Sequence, residues 1–304
     1  MTEPATETSQ LSFILAAPPR DLGGFTVRRA LPSMKRRHVG PFVFVDEMGP
    51  FVTSATSTIA VRPHPHIGLA TVTYLFDGEM THRDSLGTKK VIVPGDVNWM
   101  TAGHGIVHSE RLDDEVATRG ITMHGLQCWV GLPQAVESSA PSFAHYAAAD
   151  IPSVALAQAS VTVVVGSAFG VTSPVVTSSP TFFADAKLAQ GNTIAMDAIE
   201  ASAPELAAYV VSGSVECDGV EIPTGTIFVF RDSMRPRVKA SAPNRESRIV
   251  FFGGAPLDGE RFLFWNFVAS SKERLEEAKR DWREQRLERF PKVPGDEVEF
   301  IPLP

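Results

Sequence analysis

The chain has 304 residues, 43% hydrophobic and 21% charged, an ordinary globular mix with room for two domains of common size. Its net charge of −7, from 35 acidic and 28 basic residues, argues against a phosphate-backbone partner, so no nucleic-acid binding is expected. The two cysteines, Cys128 and Cys217, stand far apart in no metal-binding spacing, which fits a reducing cytoplasm better than a disulfide framework.

Residues 1–23 read as a flexible leader. The short apolar run from Leu11 to Ala17 is preceded by Glu3 and Glu7 and by no Lys or Arg, so it lacks the basic start of a signal peptide. No apolar run reaches the roughly 20 residues of a membrane helix, and no membrane association is expected. From residue 24, short apolar segments alternate with turns. Phe42 to Val45 is a strand closed by Gly49-Pro50. Thr71 to Phe76 is another, followed by Asp77-Gly78, a hairpin signal. Val91 to Val93 ends in Pro94-Gly95-Asp96. Strands recurring every 8–12 residues or so mark a sandwich or closed barrel.

A second stretch repeats this plan through Val161 to Val165, Tyr209 to Val211 and Ile227 to Phe230. Tyr74 to Gly78 echoes Tyr209 to Gly213, and Val97 to Met100 echoes Ile227 to Phe230. The expected fold is all-β, with two copies of one barrel over 24–140 and 152–258. Between them Ala, Ser and Pro accumulate. The tail, 259–304, holds one helix at about 271–289. Ser270 and Glu273 form its capping box, Leu275, Ala278, Trp282 and Leu287 its apolar face, and Pro291 and Pro294 its stop.

All eight histidines precede residue 146: His38, His64, His66, His82, His104, His108, His124 and His145. If the halves are duplicates, only the first can hold a histidine metal site. Arg62-Pro63-His64-Pro65-His66 is the core signal. Its prolines exclude a helix and favour extended backbone, in which residues i and i+2 share a face. His108 and Glu110 repeat that spacing. Two such strands facing each other give three imidazoles and one carboxylate for one ion. That donor set suits Fe(II), Mn, Ni, Cu(II) or Zn. Ile67, Leu69, Val72, Trp99, Met100, Ile106 and Val107 are candidate pocket walls. His82, beside Arg83 and Asp84, reads as solvated or as support for a ligand. His104 reads as a loop residue near the site, His124 as a hydrogen-bonded core residue, and His38 and His145 as surface residues.

Beyond the histidine pairs, several segments are similar to the pirin family of iron-binding cupins. They are Arg28-Arg29, Val39 to Phe42 with Asp46 and Gly49-Pro50, Arg62 to Tyr74, Pro94 to Gly103, Gly105 to Glu110 and His124 to Gln127. In the second half they are Gly253 to Leu257 and Asn266 to Val268. The resemblance covers about residues 24–291. It implies two jelly-roll cupin barrels with a C-terminal helix, and iron in the first barrel on His64, His66, His108 and Glu110. It implies a quercetin 2,3-dioxygenase-type activity on a small aromatic, flavonol-like substrate, with Glu110 as general base. The alternative it implies is an iron- and redox-sensitive regulator that binds a transcription factor or metabolic enzyme. The chain departs from the family at Ala70, where cupins generally carry glutamate, and at His104, where some relatives carry arginine.

Overall fold

The computed structural model describes residues 9–22, 25–54, 60–157, 159–196, 199, 203–235 and 237–304. The chain forms two compact units. One spans Arg20–Val27, Asp46–Ala148 and Leu257–Pro304, the other Met1–Pro19, Arg28–Val45 and Ala149–Pro256. Among the described residues no helix is long and apolar enough to cross a membrane.

The unit that carries the histidine pairs contains a four-stranded sheet and a two-stranded sheet of Phe262–Phe264 and Phe267–Ala269. A seven-stranded sheet runs in the order Ser142–Tyr146, Val97–Thr101, Leu69–Asp77, Thr122–Gly131, Phe42–Val52, Thr26–Leu31, Pro19–Asp21. The four-stranded sheet runs Ala60–His66, Ile106–Arg111, Met80–Asp84, Lys89–Ile92. The β-branched and aromatic residues of Thr71 to Phe76 suit a pleated strand packed on both faces, and eight of the nine residues of Leu69–Asp77 are buried. Asp77-Gly78 does not close a hairpin within one sheet. Gly78, at φ 88°, turns the chain from Leu69–Asp77 into Met80–Asp84 of the other sheet. The turn chemistry is that of a hairpin, but each strand has its partners elsewhere.

The other unit has the same plan. Its seven-stranded sheet runs Leu11–Ala16, Thr226–Phe230, Glu205–Ser212, Ser247–Gly254, Thr181–Leu188, Ala159–Val165, Ser153–Leu156. A four-stranded sheet accompanies it, in the order Thr193–Ala195, Arg237–Ala240, Ser214–Cys217, Val220–Pro223. Leu69–Asp77 and Glu205–Ser212 occupy the same place in their sheets, as do Val97–Thr101 and Thr226–Phe230. The sequence echoes therefore mark equivalent strands of two cupin-type domains. Phe182, Phe228, Phe230 and Phe251 fill the core of this second unit.

Two expectations need correction. Leu11–Ala16 is not part of a flexible leader: it pairs antiparallel with Thr226–Phe230 as an edge strand. The register shifts between Leu11 and Phe13, which puts Leu11 in the core of that unit and Ile14 against it, so the segment gains apolar burial and a ladder of hydrogen bonds. Pro19–Asp21, also within the expected leader, is an edge strand of the other seven-stranded sheet, and residues 1–8 and 23 lie outside the described residues.

The terminal helix is shorter than expected, Lys272–Arg283, and its N-cap is Ser271, whose side chain accepts from Arg274 N. Ser270 instead donates to the buried Glu137 carboxylate. Beyond the helix Gln285 takes φ 52°, and the chain turns to bury Phe290 and Val293 with Leu275, Ala278 and Trp282. Leu287 is left exposed. Packing of Phe290, rather than Pro291, therefore sets where the helix stops. Trp282→Ala removes the centre of this cluster and should cost about 3–5 kcal/mol in denaturant unfolding. A loss below about 1 kcal/mol would show that the helix is not integral to its unit. Both cysteines are buried and free.

Candidate metal centre

The strand Ala60–His66 pairs antiparallel with Ile106–Arg111, and His64 stands directly opposite His108. On its other edge Ile106–Arg111 pairs with Met80–Asp84, setting His108 opposite Asp84 and Glu110 opposite His82. Directly paired residues project to one face. One face of the four-stranded sheet thus carries His64, His66, His82, Asp84, His108 and Glu110, all buried. Gly68, at φ 65°, holds the turn after His66, where a Cβ would meet the Val268 carbonyl oxygen at 2.1 Å.

The seven-stranded sheet supplies aromatic and polar contacts to this cluster. The Trp129 indole meets the His66 ring at 5.1 Å edge-on, and Phe143 stacks on His82 at 4.5 Å. Thr73 Oγ1 lies 3.2 Å from Glu110 Oε1 and 2.9 Å from Gln127 Oε1.

The hydrogen bonds set the tautomers. His64 Nδ1 lies 2.9 Å from the Arg62 carbonyl oxygen and His66 Nδ1 lies 3.0 Å from that of Asn266. A carbonyl only accepts, so each Nδ1 carries the proton and each Nε2 has a bare lone pair. His66 Nε2 is 3.0 Å from His108 Nε2, close enough for both to reach one ion at about 2.1 Å. Ligand atoms of His64, His66 and His108 all lie within 4.8 Å of one another. Burial pulls the His64 pKa down to about 4. It holds His66 and His108 well below the ordinary range, with the neighbouring imidazoles adding to the shift. All three are neutral at pH 7, the form that binds a metal. The donor set fits a divalent ion.

The four expected ligands divide between two overlapping groups. His64, His66 and His108 form one, and His82, His108 and Glu110 the other. The register against Ala60–His66 shifts between His108 and Glu110. Such a bulge re-aims a side chain, and Glu110 here faces His82 and Thr73. Burial raises the Glu110 pKa, against the opposing influence of His82 and of hydrogen bonds from Thr73 and Gln127.

His82 is not solvated. Its Nε2 lies 3.0 Å from Asp84 Oδ2 and its Nδ1 lies 3.5 Å from His108 Nδ1. The signal was present in sequence, since His82-x-Asp84 has the same i, i+2 spacing as the other two pairs. Thr73, Gln127 and the Asn266 carbonyl had no such signal. Ile67 and Val107 are not pocket walls, because they pack with Phe267 and Trp282 beneath the helix. Ala70 is paired with Val130, and Thr71 with Trp129. Alternation therefore points position 70 away from the imidazoles. The other histidines have separate partners: His38 the Gly40 carbonyl, His104 that of Ser139, His124 Glu47 and His145 Asn98.

The lowered imidazole pKa values give a pH dependence for the metal-free protein. Between the ordinary value of 6.5 and the folded value of about 4 for His64, the unfolded chain binds the extra proton. Stability therefore falls as the pH drops through that window, by about 1.4 kcal/mol per unit for each such group. His66 and His108, which burial also holds well below 6.5, add to the loss. Glu110, with its raised pKa, works in the opposite direction above its ordinary 4.5, one group against three. Urea midpoints of the metal-free protein should fall from pH 6.5 to 4, and a flat profile would contradict the buried neutral trio.

The Pirin family profile matches residues 24–130, and that of the Pirin C-terminal cupin domain matches 183–288. A Pirin-like protein of Caulobacter vibrioides is 44% identical over 97% of this chain and 99% of its own length. The crystal structure of quercetin 2,3-dioxygenase from Acinetobacter baumannii superposes with a TM-score of 0.88 at 32% identity, over 97% of this chain and 95% of that one. A bacterial pirin of Escherichia coli, solved in complex with nickel(II), shares the fold at TM-score 0.59 and 18% identity, over 81% of this chain and 100% of its own.

Proposed function

The chain belongs to the pirin family, and on that premise we propose that it is a metal-dependent dioxygenase of the quercetin 2,3-dioxygenase type. Its substrate in this reading is a flavonol-like aromatic whose central ring opens as both atoms of O2 are inserted and carbon monoxide departs. The observation that carries the reading is the buried trio of neutral imidazoles, two of their Nε2 atoms 3.0 Å apart, beside a carboxylate whose pKa burial has raised. The likeness to the Acinetobacter baumannii quercetin 2,3-dioxygenase supports it.

We assign the ion to His64, His66 and His108, with Glu110 as the fourth donor. The family resemblance selects iron from the metals that three nitrogens and a carboxylate accept. A divalent ion there supplies Lewis acidity to oxygens of the substrate. Glu110 accepts the proton of the flavonol 3-hydroxyl, a task for which a raised pKa suits it. Thr73 and Gln127 hold that carboxylate through their hydrogen bonds. Asn98 lies directly across from Thr73, and its buried Nδ2 has no partner among the described residues. In this reading it donates to a substrate carbonyl. Trp129 and Phe143 flank the cluster as apolar walls.

The test is turnover. Protein loaded anaerobically with Fe(II) and given quercetin and air should bleach the flavonol absorbance and release one carbon monoxide per quercetin consumed. Full metal occupancy without turnover would sink the assignment.

A further inference from the structure

Asp84 and His82 lie outside the assigned ligands, yet both are buried on the same face. Asp84 is fully buried. Its Oδ1 accepts Leu86 N at 2.9 Å and Thr88 N at 3.1 Å, which locks the carboxylate in the turn after its strand. Only Oδ2 is left for His82, and it receives His82 Nε2 at 3.0 Å. A carboxylate accepts only, so His82 Nε2 carries a proton, and on a ring with one proton Nδ1 is then the acceptor. That acceptor faces His108 Nδ1 at 3.5 Å. Stacking on Phe143 at 4.5 Å holds the ring plane in place.

We propose that Asp84 and His82 act as a tautomer relay that places the His108 proton on Nδ1 and so leaves its Nε2 lone pair free for the ion. His64 and His66 are set in the same tautomer by backbone carbonyls. Among the described residues His108 has no carbonyl in that role. Its Nδ1 meets another imidazole, which can donate or accept, and the direction is decided one step further out by the Asp84 charge. The inference rests on the assignment of His108 as a ligand. Asp84 and His82 are positioning residues, because they act through His108.

The relay makes a prediction that a packing role does not. Asp84→Asn keeps the side-chain shape and an oxygen for Leu86 N and Thr88 N. It presents an N–H to His82 Nε2, however, and this drives the His82 proton to Nδ1. His108 must then accept on Nδ1 and carry its proton on Nε2, the atom needed for the metal. His82→Ala removes the ring altogether. His82→Asn restores an acceptor at the position of Nδ1. The probe is Zn(II) alone, measured by competition with a chromophoric chelator. Asp84→Asn and His82→Ala should each weaken binding about 10–100-fold. His82→Asn should recover most of the loss, and the double variant Asp84→Asn/His82→Ala should be no worse than His82→Ala. Imidazole ¹⁵N spectra of the metal-free protein give the second readout. The wild type should be protonated at His82 Nε2 and His108 Nδ1, and Asp84→Asn should reverse both.

Zn(II) affinity unchanged in Asp84→Asn but weakened in His82→Ala would show that His82 acts by packing and would overturn the relay. So would a wild-type His82 protonated on both nitrogens. Failure of the wild type to bind any metal would instead remove the ligand assignment, whichever tautomers the spectra show.

Discussion

Replacing both His64 and His108 with alanine should reduce bound metal from one ion per chain to background, read by elemental analysis after loading and desalting. His108 is common to both groups of ligand atoms, so its loss dismantles either arrangement. Structural metal sites of four ligands bind with roughly 12 kcal/mol. An equal share of about 3 kcal/mol per ligand is roughly a hundredfold each in affinity. The double variant should therefore bind about ten-thousandfold more weakly. Stoichiometric metal retained in this variant would mean that the ligands lie elsewhere. Alanine at position 64 also relieves the cost of burying an imidazole with its pKa drawn down to about 4. The metal-free variant should then be no less stable in acid than the wild type, which separates loss of the site from loss of the fold.

Glu110→Gln should lower kcat about 10²–10⁴-fold, the usual contribution of a positioned general base. The amide is nearly the same shape and still offers an oxygen to Thr73, so the hydrogen bond at 3.2 Å can persist. It has no site for a proton at neutral pH. Metal content should be reduced far less than turnover, because the His64, His66 and His108 trio is left intact. Occupancy and rate measured on one preparation distinguish the two roles assigned to Glu110. A fall in rate matched by an equal fall in occupancy would make it a donor only. An unchanged rate at full occupancy would remove it from the chemistry.

The histidine pairs were legible because proline restricts the backbone around His64 and His66, and an extended chain has only two faces. Duplication was legible because equivalent strands keep a few aromatic and glycine positions. What could not be read depends on pairing across long stretches of chain. Leu11–Ala16 gains its place from strand Thr226–Phe230, more than two hundred residues away. His66 takes its tautomer from the carbonyl of Asn266, at a separation of 200 residues. The burial of His82 follows from the pairing of Met80–Asp84 with Ile106–Arg111, which its charged neighbours Arg83 and Asp84 conceal. The division of the expected ligands comes from one register shift between His108 and Glu110, and a spacing rule assumes that no such shift exists.

The most direct measurement is anomalous diffraction from crystals of the metal-loaded protein, at the absorption edge of the bound ion. One peak bonded to Nε2 of His64, His66 and His108 is the expected result. A peak bonded to His82 in place of His64 and His66, or no peak at either group, would contradict the centre described here.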